Sequence, residues 1–199
     1  MLDPEKHKEM AVKHKQSFEK KLAAATKEKG LLIVNTGAGK GKSTAAFGMG
    51  LRVLGHGMKL GVVHFIKGAL PTGEREFLSS QKNCDFKTIG DGYTWNTQDR
   101  EADSATARQG WLEALRMIED PSYDMVILDE LNIVLKHKYL DLTEVLRAFS
   151  KRRKDLHIVV TGRHAPQELI EIADLVSEVQ PIKHPYKEQG VKAQKGVEF

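Results

Sequence analysis

Apolar positions along this chain alternate between short runs and helical stripes. Leu31-Leu32-Ile33-Val34 is a run broken by Asn35-Thr36-Gly37, the pattern of a buried strand entering a tight loop. Residues 43–54 then follow a helical period, with Ala45, Ala46, Met49 and Val53 on one side. Gly48 and Gly50 weaken an isolated helix there, but they permit close packing on a sheet. Lys59 to Ile66 predicts a second strand and Asp85 to Ile89 a shorter third. Residues 102–119 form an amphipathic helix through Ala107, Trp111, Leu115 and Ile118. Met125-Val126-Ile127-Leu128 reads as another buried strand, ending in Asp129-Glu130, and Leu142, Val145, Leu146 and Phe149 carry the spacing of a core-facing helix. His157 to Thr161 predicts a strand, Pro166 to Ile172 a helix, and Asp174 to Val179 a last strand.

Buried strands alternating with amphipathic helices build parallel βαβ units, so the pattern predicts a doubly wound, mostly parallel α/β sheet. Residues 4–29 stand apart from it. They read as a helix with Pro4 in its first turn and Gly30 at its end. The apolar stripe, Met10, Phe18 and Leu22, is too thin to anchor a helix in a core. The chain therefore divides into a basic N-terminal helix, 1–29, outside the core and acting as a mobile cover, and an α/β domain over 30–199. The stretch 67–101 has the least regular pattern, and loops of that length in compact domains are usually functional.

Composition narrows the class. The chain has 199 residues, 40% of them hydrophobic, which suits one domain with a sizeable core. No run approaches the roughly 18 apolar residues of a membrane span, and the charged N-terminus does not read as a signal peptide. Cys84 is the single cysteine, which excludes an intrachain disulfide and a thiolate metal cluster; a reducing cytoplasm is the expected compartment. The net charge of +4 is accounted for by residues 4–29, where eight lysines meet four glutamates. Such a helix is either a solvated face laced with Glu–Lys pairs or a contact for an anionic partner.

The sharpest chemical signal is Asn35-Thr36-Gly37-Ala38-Gly39-Lys40-Gly41-Lys42-Ser43-Thr44, between a predicted strand and a predicted helix. This is a P-loop. Its glycines let backbone N–H groups converge on phosphate oxygens at the positive end of a helix, Lys42 neutralises phosphate charge, and the Ser43 hydroxyl suits Mg²⁺. The usual pattern opens with glycine where this chain has Thr36. Asp129-Glu130, at the end of an apolar strand, resembles the carboxylate element that reaches the metal in such sites.

Other segments point to one family. Gly41-Lys42-Ser43-Thr44-Ala45-Ala46-Phe47-Gly48, Gly61-Val62-Val63-His64-Phe65-Ile66-Lys67-Gly68 and Gly73-Glu74-Arg75 follow in order. Gly92-Tyr93-Thr94-Trp95, Asp99-Arg100-Glu101-Ala102-Asp103, Leu128-Asp129-Glu130-Leu131, Thr161-Gly162-Arg163 and Val191-Lys192-Ala193-Gln194 complete the set. From about residue 7 onward the chain closely resembles the cob(I)alamin adenosyltransferases built on a RecA-like P-loop fold.

The resemblance implies ATP and cob(I)alamin as substrates. Co(I) attacks the ribose 5′ carbon and the whole triphosphate leaves. ATP lies in the P-loop in the reverse sense from ordinary NTPases, clamped by Lys42, Ser43 and the loop from Gly37 through Ala38, Gly39, Lys40 and Gly41 to Thr44. Ser43 and Glu130 hold Mg²⁺, for which Mn²⁺ can substitute, and Arg163 reaches a phosphate. His64, at a strand end, either approaches the nucleotide or is satisfied within the fold. Tyr93 and Trp95 wedge under the corrin ring and remove the lower axial ligand, which makes Co(I) accessible; relatives carry phenylalanine where this chain has Tyr93. The N-terminal helix closes over the partner's corrinoid site in a homodimer, and an electron donor such as a flavoprotein reductant supplies Co(I). Because Co(I) is itself a strong nucleophile, the protein contributes alignment, charge neutralisation and exclusion of water.

Two other readings compete. A RecA-like ATPase acting on nucleic acid would use the basic helix and Lys151-Arg152-Arg153-Lys154 as contacts, but the latter cluster more simply complements a helix C-terminus. A corrinoid carrier without catalysis would need a disabled P-loop, and nothing in this one is disabled. No histidine falls into a HExxH pattern, Trp111 reads as core, and Cys84 as inert.

Overall fold

The structure, a computed structural model, describes residues 4–66, 72–89 and 99–199. The apolar runs form short strands: β1 (Leu32–Thr36), β2 (Leu60–His64), β3 (Cys84–Thr88), β4 (Met125–Asp129), β5 (His157–Thr161) and β6 (Leu175–Glu178). They make one sheet in the order β3-β2-β4-β5-β1-β6, parallel at every pairing. β1 and β4 are buried throughout, which is why they read as unbroken apolar runs and not as alternating ones. β6 lies exposed at one edge.

The helices are α1 (Pro4–Ala24), α2 (Lys42–Gly55), α3 (Gly73–Ser79), α4 (Arg100–Glu119), α5 (Leu131–Lys136), α6 (Leu142–Lys151), α7 (Gln167–Ile172) and α8 (Pro185–Gln189). Asp99 caps α4, its Oδ1 accepting from the backbone N–H groups of Glu101 and Ala102 at 3.0 and 3.1 Å; Asp141 caps α6 in the same manner. One sheet face packs Val126 and Leu128 against Trp111, Met117 and Phe149. The other packs Ile33 and Ile127 against Ala46, Phe47 and Val53. Each such side chain contributes about 1.5–3 kcal/mol by leaving water. Trp111 is core, as its stripe predicts, and its indole N–H donates to Glu144 Oε1 at 2.8 Å. Cys84 is buried, and burial pushes its thiol up to about 11, so it is not a thiolate at neutral pH.

Several expectations are corrected. The N-terminal helix stops at Ala24, not at Gly30. Gly30 is buried with its N–H on Lys154 O at 2.6 Å, and a Cβ there would meet Leu156 O at 2.1 Å; the chain must leave the helix early to thread that gap. On α2 the buried face is Ala46, Phe47, Gly50 and Val53, while Ala45 is exposed. Gly50 packs on the sheet, since an added Cβ would meet Leu60 Cδ2 at 2.9 Å, but Gly48 has open space around it. Helices α3, α5 and α8 are additions, each too short to show a period. In the cluster at 151–154, Arg152 Nη1 donates to Phe149 O at 2.7 Å, capping α6 as expected, and Arg153 Nη2 donates to Tyr123 O at 2.6 Å.

α1 lies outside both core layers, with Met10, Phe18 and Leu22 all exposed. No helix among the described residues is long and apolar enough to cross a membrane. Because the strands are parallel, their carboxyl ends share one edge, and the loops that follow β1, β2, β4 and β5 meet there.

Candidate active site

At that edge lies an open cleft of about 700 Å³, within the size range of small-molecule sites. Its floor is the loop between β1 and α2. Gly37 and Gly41 take φ values of 98° and 107°, which side chains avoid. Gly39 is set by contact: its N–H donates to Val179 O at 2.7 Å, and a Cβ would lie 2.8 Å from that same oxygen. Thr36, where the usual pattern has glycine, does local work. Its hydroxyl accepts from Ala165 N at 3.2 Å and ties the loop after β5 to the end of β1.

Lys42 is buried and its ammonium donates to Gly39 O at 2.5 Å, so the lysine folds back over its own loop. Burial pulls its pKa below the ordinary lysine value, and Arg163 and Lys40 push the same way against an opposing Glu130. A cation in that position is short of negative charge, and a phosphate group supplies it.

The carboxylates come from β4. The β2–β4 register sets His64 opposite Asp129, and Nδ1 of the ring is 2.6 Å from Asp129 Oδ2. Asp129 Oδ1 accepts from the Thr161 hydroxyl at 2.6 Å, and nearby Ser43 also favours the charged form of this carboxylate. Burial alone would raise the Asp129 pKa, but these donors hold it below the usual carboxylate value. Glu130 follows in the left-handed region at φ 63°, a conformation that costs a non-glycine residue about 1–3 kcal/mol. The turn is held by Glu130 N donating to Thr161 Oγ1 at 3.0 Å. Burial and the neighbouring Asp129 push the Glu130 carboxyl upward, with Lys42, His64 and Arg163 only partly offsetting them. Gly162, at φ 122°, leaves room for it: a Cβ there would meet Glu130 Oε2 at 3.1 Å.

Gly39, Lys40, Gly41, Lys42, Ser43 and Thr44 thus line one cleft together with His64, Glu130 and Arg163. Gly37 and Ala38 stand outside its wall. Arg163 is exposed and forms no ion pair among the described residues. Tyr93 and Trp95 lie outside the described residues. Missed by the sequence reading are Arg75, Lys136, His137 and His164 on the cleft wall, and Glu198 from the chain's end. Arg75 had a signal, the Gly73-Glu74-Arg75 segment; the others had none.

Among the described residues no three His, Cys, Asp or Glu side chains gather as a metal-binding group. Ser43 and Glu130 offer two oxygen ligands, and Glu130 is a half-buried carboxylate with no ion pair among the described residues. That donor set fits Mg²⁺, which keeps waters and takes phosphate oxygens to complete its shell.

Comparison with known proteins agrees with this geometry. The model of the family "ATP:corrinoid adenosyltransferase BtuR/CobO/CobP" matches residues 28–199. A corrinoid adenosyltransferase of Sinorhizobium sp. is 50% identical over 99% of this chain and 93% of its own length. That of Pseudomonas aeruginosa is 48% identical over 98% of this chain and 96% of its own. The Escherichia coli K12 corrinoid adenosyltransferase is 43% identical with both chains fully covered. With the P-loop, the carboxylate strand end and the full length of the α/β domain matched, this chain belongs to the ATP:corrinoid adenosyltransferase family.

Proposed function

We propose that this cleft seats the triphosphate of ATP while the 5′-deoxyadenosyl group passes to Co(I) of a reduced corrinoid. The electron pair of cobalt forms the Co–C5′ bond, the C5′–O bond breaks, and inorganic triphosphate leaves with that bond's electrons. The observation that carries the reading is the convergence of Lys42, Ser43 and the Asp129–Glu130 turn at the carboxyl edge of the sheet, in a chain of this family.

Each residue then has a physical task. Lys42 leaves Gly39 O for the phosphates and offsets charge that grows as the C5′–O bond opens. The backbone N–H groups from Gly39 to Thr44 and the N-terminus of α2 bind the anion. Arg163, exposed and without an ion pair among the described residues, adds a further cation. Ser43 and Glu130 would hold Mg²⁺, which supplies charge neutralisation to the triphosphate, and Mn²⁺ would substitute. His64 and Thr161 orient Asp129. Tyr93 and Trp95 would fill the lower face of the corrin and keep water and the axial base away. α1 would cover the corrinoid, across a homodimer of cytoplasmic subunits, and a flavoprotein would deliver the electron that makes Co(I).

The test is an anaerobic assay with chemically reduced cobalamin, ATP and Mg²⁺, followed for the light-sensitive alkylated corrinoid and for triphosphate. Equal amounts of both, lost in Lys42→Ala, support the assignment. Orthophosphate release without alkylated corrinoid overturns it.

A further inference from the structure

The last residues of the chain return to the P-loop. Val197 N and Glu198 N both donate to Gln194 O, at 3.1 and 2.9 Å, and Gly196 N donates to Phe199 O at 2.7 Å. Gly196 allows this tight turn through a φ of 81°. The turn delivers the Glu198 carboxylate onto the ammonium of Lys40, as an ion pair across 158 positions of sequence. The Glu198 side chain is 20% exposed against 53% for Lys40, so the carboxylate is the more enclosed partner. Val197 and Glu198 form part of the same cleft wall as residues 39–44. The loop is thus held on two sides by the segment after β6, through Val179 at Gly39 and through Glu198 at Lys40.

A carboxylate on a P-loop lysine occupies a cation that phosphate oxygens would otherwise use. The Lys and Arg side chains on the described cleft wall outnumber its carboxylates by only one, so a single carboxylate weighs heavily in the local field. The reaction sharpens the consequence. Cleavage at C5′ leaves every phosphate charge of ATP on the product and frees one further oxygen, so groups that hold the substrate's triphosphate hold the product at least as firmly.

We propose that Glu198 is a positioning residue that competes with triphosphate for Lys40 and so speeds product release. The proposal rests on the P-loop being the triphosphate seat. ATP binding parts the Lys40–Glu198 pair, and the tethered carboxylate, never more than a turn away, takes Lys40 back once the C5′–O bond has broken. A partly exposed pair of this kind is weak enough for a polyanion to displace.

The experiment is calorimetric titration of inorganic triphosphate, with Mg²⁺, into the full chain and its Glu198→Gln variant, alongside product inhibition by added triphosphate. The expected result is binding about threefold tighter in the variant, the size of a partly exposed pair. Inhibition by triphosphate should strengthen in parallel. In a Lys40→Gln background the Glu198→Gln effect should vanish, since the carboxylate acts through that lysine. Unchanged triphosphate affinity in Glu198→Gln overturns the proposal, as does an effect that persists without Lys40. If Lys42→Ala leaves triphosphate binding intact, the seat itself is misassigned and the proposal falls with it.

Discussion

His64 holds the fully buried Asp129 through Nδ1, at 2.6 Å. The two residues are register partners on β2 and β4, so the backbone pairing itself delivers the contact. Burial alone would lower the His64 pKa, but the Asp129 hydrogen bond and charge raise it above its ordinary value of 6.5. A base whose folded pKa is raised stabilises the fold fully below its unfolded pKa, and that contribution is lost as pH rises through the folded value. Asp129, shifted down, contributes stability above its unfolded value of 3.8 and loses it as pH falls through the folded one. The expected outcome is a melting temperature that declines from about pH 6.5 upward in the native chain. His64→Gln, which keeps a donor but no charge, should flatten that slope. Thermal melts of both chains between pH 6 and about 9 check it; parallel curves would show that folding leaves the imidazole's pKa unchanged.

The charge on Glu130 is held against the preference of its surroundings. Burial and Asp129 raise its carboxyl pKa above the ordinary 4.5. For an acid shifted upward, the sign is the reverse of the Asp129 case: stability falls as pH climbs from the unfolded value toward the folded one. Glu130→Gln removes the charge while keeping the shape. Without nucleotide, the variant should melt a few degrees higher at pH 7, because about 1 kcal/mol corresponds to 2–4 °C in a chain of this size. Its need for Mg²⁺ in the adenosyl transfer should rise about tenfold or more. A variant that melts lower, with unaltered Mg²⁺ dependence, would make Glu130 a structural residue.

Two glycines on α2, two positions apart, should respond oppositely to alanine. Gly48 has nothing within 4 Å of a built Cβ, so Gly48→Ala removes backbone freedom from the unfolded chain and should stabilise by about 0.5–1 kcal/mol. At Gly50 the Cβ meets Leu60 Cδ2 at 2.9 Å and Ile127 Cδ1 at 3.2 Å. Both are ends of packed core side chains, so Gly50→Ala should destabilise by about 1–3 kcal/mol. Urea unfolding of the two variants decides between this and a helix that shifts as a whole.

The contrast between those glycines shows what a sequence can reveal. Strands β1, β4 and β5 were legible because burial on both faces forces unbroken apolar runs. The P-loop was legible because its glycines serve a backbone geometry that few other residues adopt, and Asp129-Glu130 because it ends such a run. Which glycine touches the sheet depended on the rotation of α2, which a stripe of small residues does not determine. Lys40 was legible as part of the P-loop, but its pairing with Glu198, 158 positions away, carries no local pattern. Thr36 looked like a departure from a motif until its hydroxyl met Ala165 N, a contact made only when β1 and β5 lie side by side.

Thr161 is the test of whether the carboxylate turn is held from behind. Its hydroxyl donates to Asp129 Oδ1 at 2.6 Å and accepts from Glu130 N at 3.0 Å, and the residue is fully buried. Thr161→Val keeps the shape and deletes both bonds, stranding a buried carboxylate oxygen and a backbone N–H. Each such orphan costs about 1–3 kcal/mol, so the variant should unfold several degrees lower. Glu130 would also lose the bond that holds its left-handed backbone, so adenosyl transfer should fall more than the loss of folded protein explains. Thr161→Ser restores the hydroxyl and should recover most of both losses. If valine is tolerated in activity at temperatures where the variant is fully folded, the strained turn is fixed instead by Gly162 and Asn132, whose Nδ2 donates to Gly162 O at 2.9 Å.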